Sequence, residues 1–132
     1  MYGGGGNDTI TGSGYADLIH GDAGDDTIYG DNEDGTNVGG NADVLHGDAG
    51  NDTIYGRRGS DTLIGGEGDD TLYGGLESDT IFGGNGIDTI YGGNSSNGSN
   101  STNLLNGGAG NDIIYGGDFS PATANGSVPP LS

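Results

Sequence analysis

Large aliphatic residues recur every nine residues along most of the chain, and in its regular central part each follows a threonine. Between residues 47 and 91 the spacing is unbroken, and these aliphatic residues are Ile54, Leu63, Leu72, Ile81 and Ile90. Their neighbours on both sides are β-branched or aromatic, which favours a short strand. Because side chains alternate across a strand, the aliphatic residue is predicted to be buried and its neighbours to face outwards.

The repeated unit is a nonapeptide, seen best as GGEGDDTLY in residues 65–73. Glycine takes positions one, two and four, aspartate position six and an aliphatic residue position eight. Eleven copies cover residues 3–115, with insertions near residues 31–38 and 93–98 and Asn103 in place of one aspartate. The glycine-rich positions predict turns. Residues 17–29 recur with few changes as residues 43–55, so two nonapeptides form one structural unit.

These features predict an all-β solenoid in which each 18-residue coil holds two short strands and two turns. Successive coils would stack as parallel strands about 4.8 Å apart. The solenoid is expected to span residues 1–117, followed by a proline-containing tail or linker in residues 118–132. The first residues carry no recognisable cleavable secretory signal.

The composition does not favour a chain that folds by itself. Of 132 residues, 33 are glycine, the formal net charge is -18, and the basic residues are Arg57 and Arg58. High charge with low hydrophobicity predicts disorder, and two aliphatic columns make a thin core. The chain has no cysteine for disulfides and no apolar run long enough to span a membrane. Its acidity disfavours nucleic acid, so a cation is expected to supply the missing folding free energy.

The position-six aspartates of the odd-numbered copies are predicted to stack at one edge of the solenoid: Asp8, Asp26, Asp52, Asp70, Asp88 and Asp112. At a spacing of about 5 Å, neighbouring carboxylates would repel one another. A cation between them reverses the sign of that interaction. Carboxylate and backbone carbonyl ligands suit Ca²⁺, whereas Mg²⁺ demands rigid octahedral geometry and retains its waters.

The repeats closely resemble the RTX (repeats-in-toxin) family, specifically its right-handed parallel β-roll domain. The resemblance implies that each Ca²⁺ lies between neighbouring turns of one edge. One turn would supply the carbonyls of positions two and four with its aspartate, and the next turn the carbonyls of positions one and three with its aspartate.

Carried onto this sequence, the resemblance implies five well-formed sites on the odd edge. Their ligands are Gly4, Gly6 and Asp8 with Gly21, Ala23 and Asp26; Asp22, Gly24 and Asp26 with Gly47, Ala49 and Asp52; Asp48, Gly50 and Asp52 with Gly65, Glu67 and Asp70; Gly66, Gly68 and Asp70 with Gly83, Asn85 and Asp88; and Gly84, Gly86 and Asp88 with Gly107, Ala109 and Asp112.

Up to three weaker sites are expected on the even edge, between Asp17 and Asp43, Asp43 and Asp61, and Asp61 and Asp79. Position four is always glycine on the odd edge, but on the even edge it is Tyr15, Asn41, Gly59, Glu77 and Ser101. Non-glycine residues at positive φ carry strain, which is the reason for expecting weaker sites. Eight divalent ions would bring the net charge of -18 to about -2.

The outer faces of the predicted sheets leave alternatives open. Tyr29, Tyr55, Tyr73, Tyr91 and Tyr115 should form a column that either stabilises the sheet or binds a sugar or protein partner. On the opposite face, His20 and His46 should stack with Ile64 and Phe82, as ordinary outward residues or as a transition-metal site. Residues 94–102 contain three successive glycosylation-type triplets.

No catalytic constellation is recognisable, so the chain is expected to be non-enzymatic. The primary hypothesis is an extracellular calcium-binding module that folds on binding Ca²⁺, and secretion from a bacterial cell is implied by the family resemblance. One alternative is a structural unit of an extracellular filament or surface layer that associates head to tail through its open strand edges. Another is the RTX fragment of a secreted protease or lipase.

Overall fold

The computed structural model describes residues 1–32, 40–93, 102–117 and, for the backbone, 122–125. The strands in these residues are β1 (Tyr2–Gly5), β2 (Thr9–Thr11), β3 (Leu18–Ala23), β4 (Thr27–Tyr29), β5 (Val44–Ala49), β6 (Thr53–Arg57), β7 (Thr62–Glu67), β8 (Thr71–Gly75), β9 (Thr80–Asn85), β10 (Thr89–Tyr91), β11 (Asn103–Ala109), β12 (Ile113–Tyr115) and β13 (Ala122–Asn125). Within the described ranges there is no helix long and apolar enough to cross a membrane.

The strands form two parallel sheets to which the chain contributes alternately. One sheet has the order β1-β3-β5-β7-β9-β11-β13 and the other β12-β10-β8-β6-β4-β2. Equivalent repeat positions lie in register, as in Ile54 opposite Leu72 and Tyr55 opposite Tyr73. Each coil therefore adds one strand to each sheet, and the predicted all-β right-handed parallel β-roll is confirmed.

The core consists of the position-eight side chains, as the sequence predicts. Ten of them are at most 1% exposed: Ile19, Ile28, Leu45, Ile54, Leu63, Leu72, Ile81, Ile90, Leu105 and Ile114. Ile10, in the first coil, packs against this cluster but is only partly buried. One aliphatic side chain per strand fills the space between the sheets, so the core is two columns wide.

The strands of the seven-stranded sheet extend beyond the short segment around position eight that the sequence predicts. In β7, Thr62–Glu67, the strand continues through the first three positions of the following nonapeptide. Gly66 and Glu67 pair there with Gly84 and Asn85 of the next coil. Glycine-rich sequence alone favours a turn, but the stacked neighbours offer strand partners, and this tertiary pairing overrides the local preference.

Both predicted outer-face columns are present. Successive tyrosine rings on the six-stranded sheet stack with centroid distances of 5.0, 4.7, 4.7 and 4.9 Å, from Tyr29 through Tyr55, Tyr73 and Tyr91 to Tyr115. On the seven-stranded sheet, His20, His46, Ile64 and Phe82 occupy equivalent positions on successive strands.

Several predicted features fall partly or wholly outside the described residues. These are most of the two insertions, Ser101, the glycosylation-type triplets of residues 94–102 and most of the predicted tail. Within that tail, β13 pairs with β11 and extends the seven-stranded sheet. The division of the chain at residue 117 stays a prediction.

Candidate metal centre

The position-six residues line both edges of the roll from the inside. Asp26, Asp43, Asp52, Asp61, Asp70, Asp79, Asp88, Asn103 and Asp112 are all at most 1% exposed. Positions six and eight lie two residues apart as the chain enters a strand, so both side chains point to the interior. Position five faces the opposite way, and Asp25 and Asp69 are exposed. The fold thus buries a column of carboxylates beside each column of aliphatic residues.

One oxygen of each buried carboxylate is held by the backbone of the preceding coil. On the odd edge, the N–H groups of Asp26, Asp52 and Asp70 donate to Oδ1 of Asp52, Asp70 and Asp88 at 2.8, 2.8 and 2.9 Å. Corresponding bonds join Asp8 to Asp26 and Asp88 to Asp112. The even edge has the same ladder, from Asp17 through Asp43, Asp61 and Asp79 to Asn103. Both columns are therefore continuous.

The second oxygen of these carboxylates is buried and accepts no hydrogen bond in the described structure. This holds for Oδ2 of Asp8, Asp26, Asp43, Asp52, Asp61, Asp70, Asp79, Asp88 and Asp112. Each lies beside the position-one glycine of its own repeat. A β-carbon on Gly21 would lie 2.5 Å from Asp26 Oδ2 and 2.8 Å from the carbonyl oxygen of Gly47 in the next coil. Glycine leaves room there for a group that contacts both oxygens.

Asn103 shows what these oxygens lack. Its Nδ2 takes the place beside Gly92 that Oδ2 takes in the other repeats. From there it donates a hydrogen bond of 3.0 Å to the Gly92 carbonyl. The place is thus suited to a positively polarised group. An ionised aspartate puts an acceptor-only carboxylate oxygen there instead, so that oxygen needs either a cation or a proton to contact the carbonyl favourably.

Asp17 differs from the other aspartates. Its Oδ2 accepts hydrogen bonds from the backbone N–H and the hydroxyl of Ser13, at 2.6 and 3.0 Å. Ser13 stands where a regular repeat has glycine, so the degenerate second copy satisfies its carboxylate locally. The Asp17–Asp43 pair therefore has less need of a cation than the other pairs.

Burial raises the pKa of six of these carboxyl groups, three on each edge. On the odd edge, desolvation raises the pKa of Asp52 and Asp88 to about 6 and that of Asp70 to about 7. On the even edge, desolvation raises the pKa of Asp43 to about 6, Asp79 to about 7 and Asp61 to about 8. Backbone N–H bonds lower these values and neighbouring carboxylates raise them. In the absence of a cation, ionised carboxylates are disfavoured inside the roll.

The structure gathers the predicted carbonyl ligands of each odd-edge site into consecutive turns. The position-three carbonyls of Ala23, Ala49, Glu67, Asn85 and Ala109 each accept the N–H of a position-four glycine at 2.8–3.0 Å. A carbonyl has a second lone pair, so this bond leaves capacity for an ion. Positions two and four have positive φ, as in Gly66 (109°) and Gly68 (119°). The residues are suitably placed, and their role as ligands stays a prediction.

The expected strain difference between the two edges is only partly present. At position four of the even edge, Glu77 has a φ of 78°, but neither Tyr15 nor Asn41 has positive φ. The odd edge itself carries two strained residues, Asp22 and Asp48, with φ of 73° and 74° at position two. Backbone strain at position four therefore does not separate the even edge from the odd edge at every repeat. The two edges differ instead in two local contacts of the even edge, the hydrogen bonds from Ser13 to Asp17 and from Asn103 to the Gly92 carbonyl.

Two features of the edges were not predicted from the repeat pattern. Asp31 is 2% exposed, and its charge contributes to raising the pKa of Asp43 and of Asp61. Position five forms a second ladder, in which the Asp25 N–H donates to Asn7 Oδ1 and the Asn51 N–H to Asp25 Oδ1, both at 2.9 Å. The frequent Asn or Asp at position five was the available signal, since these side chains readily accept backbone N–H bonds.

One comparison, with models of known protein families, agrees with this geometry. No curated protein matches the chain. The family model of the RTX calcium-binding nonapeptide repeat matches in four copies, at residues 2–36, 38–72, 73–97 and 97–118. These matches cover nearly all of the predicted β-roll, and their repeat is the nonapeptide that builds both carboxylate columns. The chain belongs to the RTX calcium-binding nonapeptide repeat family.

Proposed function

We propose that this chain is an extracellular, non-catalytic calcium-binding module that folds when it binds Ca²⁺. The observation that carries the proposal is the set of nine buried Oδ2 atoms that accept no hydrogen bond in the described structure. Each stands at a place where Asn103 instead presents an N–H donor to a carbonyl. Ca²⁺ supplies the positive charge there, and its preferred ligands are the carboxylate and carbonyl oxygens that line these turns.

Five ions would be held on the odd edge by the turns that contain Asp8, Asp26, Asp52, Asp70, Asp88 and Asp112. Each interior aspartate of this column would serve two ions, one on each side. On the even edge, the pairs Asp43–Asp61 and Asp61–Asp79 also have buried Oδ2 atoms that accept no hydrogen bond, like those of the odd edge. The Asp17–Asp43 pair is the weakest candidate, because Ser13 already donates to Asp17.

Coupling of Ca²⁺ binding to folding follows from the electrostatics of the chain. The formal net charge is -18, and the core holds one aliphatic side chain per strand. Folding without cations would bury two columns of carboxylates, at a cost that so thin a core does not offset. Because the ligands of each site come from two coils, they assemble only when the coils stack, so binding free energy becomes folding free energy.

An extracellular location fits sites of this kind. Extracellular calcium modules bind with dissociation constants on the order of 0.1–1 mM, so they fill outside cells and stay free in the calcium-poor cytosol. The chain would thus remain unfolded before export and fold afterwards.

Circular dichroism during a calcium titration tests the proposal. In excess chelator the far-UV spectrum should be that of a disordered chain, and millimolar Ca²⁺ should convert it cooperatively to a β spectrum. Mg²⁺ at the same concentration is the matched control and should convert it far less. A chain equally well ordered in excess chelator would refute the proposal.

The two alternatives stay predictions. A self-stacking filament unit requires rods that lengthen with protein concentration, which sedimentation in saturating Ca²⁺ would detect. A fragment of a secreted protease or lipase requires a catalytic domain elsewhere in the parent gene.

A further inference from the structure

The outer face of the seven-stranded sheet carries a cluster of two histidines and a carboxylate near the first coils. The ligand atoms of His20, His46 and Asp48 all lie within 4.8 Å of one another. His20 Nδ1 is 3.0 Å from Asp48 Oδ2. The rings of His20 and His46 stack with centroids 4.4 Å apart and planes inclined by 14°. All three side chains are partly buried, so solvent reaches them without surrounding them.

The fold fixes this cluster through strand register. His20 of β3 and His46 of β5 are directly paired across the sheet. Asp48 follows His46 by two residues, so its side chain emerges on the same face of β5. Its φ of 74° lies in the left-handed region, and its carboxylate reaches across to His20 in the preceding coil. The three groups therefore come together only when the two coils are stacked.

Asp22, the equivalent of Asp48 one coil earlier, has a different partner. It has nearly the same φ, 73°, but its Oδ2 accepts the N–H of Gly4 at 3.2 Å. The repeat geometry alone thus does not assign a metal ligand to position two. Asp48 differs from Asp22 because histidines from two consecutive coils lie next to its carboxylate.

We propose that His20, His46 and Asp48 form a second cation site, separate from the calcium turns, for a divalent transition metal of the zinc class. Imidazole nitrogens select such metals, whereas Ca²⁺ prefers an all-oxygen shell. Two histidines and a carboxylate are also a known zinc donor set that leaves a coordination position open.

The observed spacing is close to that of a metal-bound state. Around a tetrahedral Zn²⁺ with ligand bonds of about 2.0–2.2 Å, neighbouring ligand atoms are about 3.3 Å apart. The 3.0 Å from His20 Nδ1 to Asp48 Oδ2 is within a few tenths of an ångström of this value. From a separation of up to 4.8 Å, the His46 ligand atom must approach by up to about 1.5 Å, which a partly exposed ring at the sheet surface can do by a side-chain rotation. The net charge of -18 attracts cations to the whole surface.

Asp48 also connects the two kinds of site. Its carbonyl is one of the predicted Ca²⁺ ligands of the odd edge, while its carboxylate lies on the outer face with the histidines. Zinc bound outside would hold the Asp48 backbone in its positive-φ conformation and tie β3 to β5. The site is therefore expected to order these two coils further without replacing calcium.

Zinc titration of the calcium-saturated full chain, followed by calorimetry and by NMR of the histidine rings, tests the site. The chain has two histidines, so both sets of ring signals can be assigned. We expect one Zn²⁺ per chain and shifts of both rings together. His46→Gln, His20→Gln and Asp48→Asn should each lower zinc affinity by a factor of about ten or more. Asp22→Asn is the matched control and should change it less than twofold.

Calcium titration of the same variants by circular dichroism separates this proposal from the proposed function. His20→Gln and His46→Gln should fold at the wild-type calcium concentration, since neither side chain faces a calcium turn. If zinc affinity is unchanged in both histidine variants, or if one Zn²⁺ binds only by displacing Ca²⁺, the site does not exist and the rings merely stack. Loss of calcium-driven folding together with zinc binding would refute the separation of the two sites.

Discussion

At the scale of single residues, positions one and six of the repeat depend on each other. The aspartate side chain folds back over the position-one glycine, and its Oδ2 occupies the space that a β-carbon would need. Oδ1 is fixed by a backbone N–H of the preceding coil. The carboxylate therefore cannot move away without losing that bond. Glycine at position one is required for the space beside the aspartate, whatever its φ.

Gly65→Ala tests this dependence. Its β-carbon would overlap Asp70 Oδ2 and lie 2.5 Å from the Gly83 carbonyl oxygen, so overpacking should destabilise the calcium-bound fold by about 1–3 kcal/mol. The control is Gly5→Ala, because a β-carbon on Gly5 meets nothing within 4 Å and its φ is not positive. Thermal unfolding in saturating Ca²⁺ should show a clearly lower midpoint for Gly65→Ala alone. Equal midpoints for the two variants would contradict the close approach.

Asn103 is the residue-scale counterpart of an aspartate in a predicted calcium site. It keeps the Oδ1 acceptor that the Asp79 N–H needs, at 2.9 Å, and replaces the second oxygen by a donor. One repeat thus closes its turn with a hydrogen bond where the others present a carboxylate. This natural substitution makes the Asp61–Asp79 pair the last one on the even edge.

At the scale of elements, the two edges have the same ladder but different numbers of adjacent carboxylate pairs. Asp70 lies between Asp52 and Asp88, so it would contribute to two ions. Asp79 lies between Asp61 and Asn103, so it would contribute to one. Each serves its preceding coil equally, by accepting an N–H at 2.8 Å from Asp52 or 2.9 Å from Asp61. A comparison of the two therefore separates calcium binding from the hydrogen-bond ladder.

Asp70→Ala should raise the calcium midpoint of folding more than Asp79→Ala does. Both variants leave one buried N–H without its acceptor, which costs about 1–3 kcal/mol in each. Asp70→Ala additionally damages two calcium sites and Asp79→Ala one. Calorimetry should show a larger loss of bound Ca²⁺ for Asp70→Ala, and circular dichroism a larger rise in midpoint. Equal losses would contradict the unequal edges.

The strands were largely predictable, because each repeat carries one aliphatic residue, at position eight, that marks the centre of a strand. Position eight gave every core residue, and pairing of the repeats gave two alternating sheets. The extension of β7 through Gly65, Gly66 and Glu67 was not predictable from local preference, since it depends on strand partners in neighbouring coils. β13 likewise lies in a segment without the repeat, and its place is set by pairing with β11.

The two carboxylate columns were predictable from the sequence, but their local contacts were less so. The nine-residue spacing placed the position-six aspartates in two columns, and the hydrogen-bond ladders show both columns. It did not reveal that Ser13 satisfies Asp17 or that Asp31 is buried near Asp43, because both lie in irregular copies. In such copies the contacts depend on the local backbone conformation, which the nine-residue repeat does not specify.

At the scale of the whole molecule, burial of ionised carboxylates opposes folding when no cation is bound. Desolvation raises the pKa of six buried aspartates, three in each column, from 3.8 to values between about 6 and 8. A carboxyl whose pKa is higher in the folded chain than in the unfolded one favours folding when it is protonated. The resulting destabilisation is complete above about pH 8, weakens as the pH falls through 8 to 6, and vanishes below 3.8.

The pH dependence should therefore have opposite signs with and without calcium. In excess chelator, lowering the pH from 8 to 5 should increase the β signal, because protonation removes charge from the buried columns. In the presence of Ca²⁺, the same change should raise the calcium concentration needed for folding, since protons compete for the ligands and binding releases them. Calcium titrations by circular dichroism at pH 5, 6, 7 and 8 measure both effects. A calcium midpoint that stays constant over this range would show that the buried carboxylates do not hold the ions.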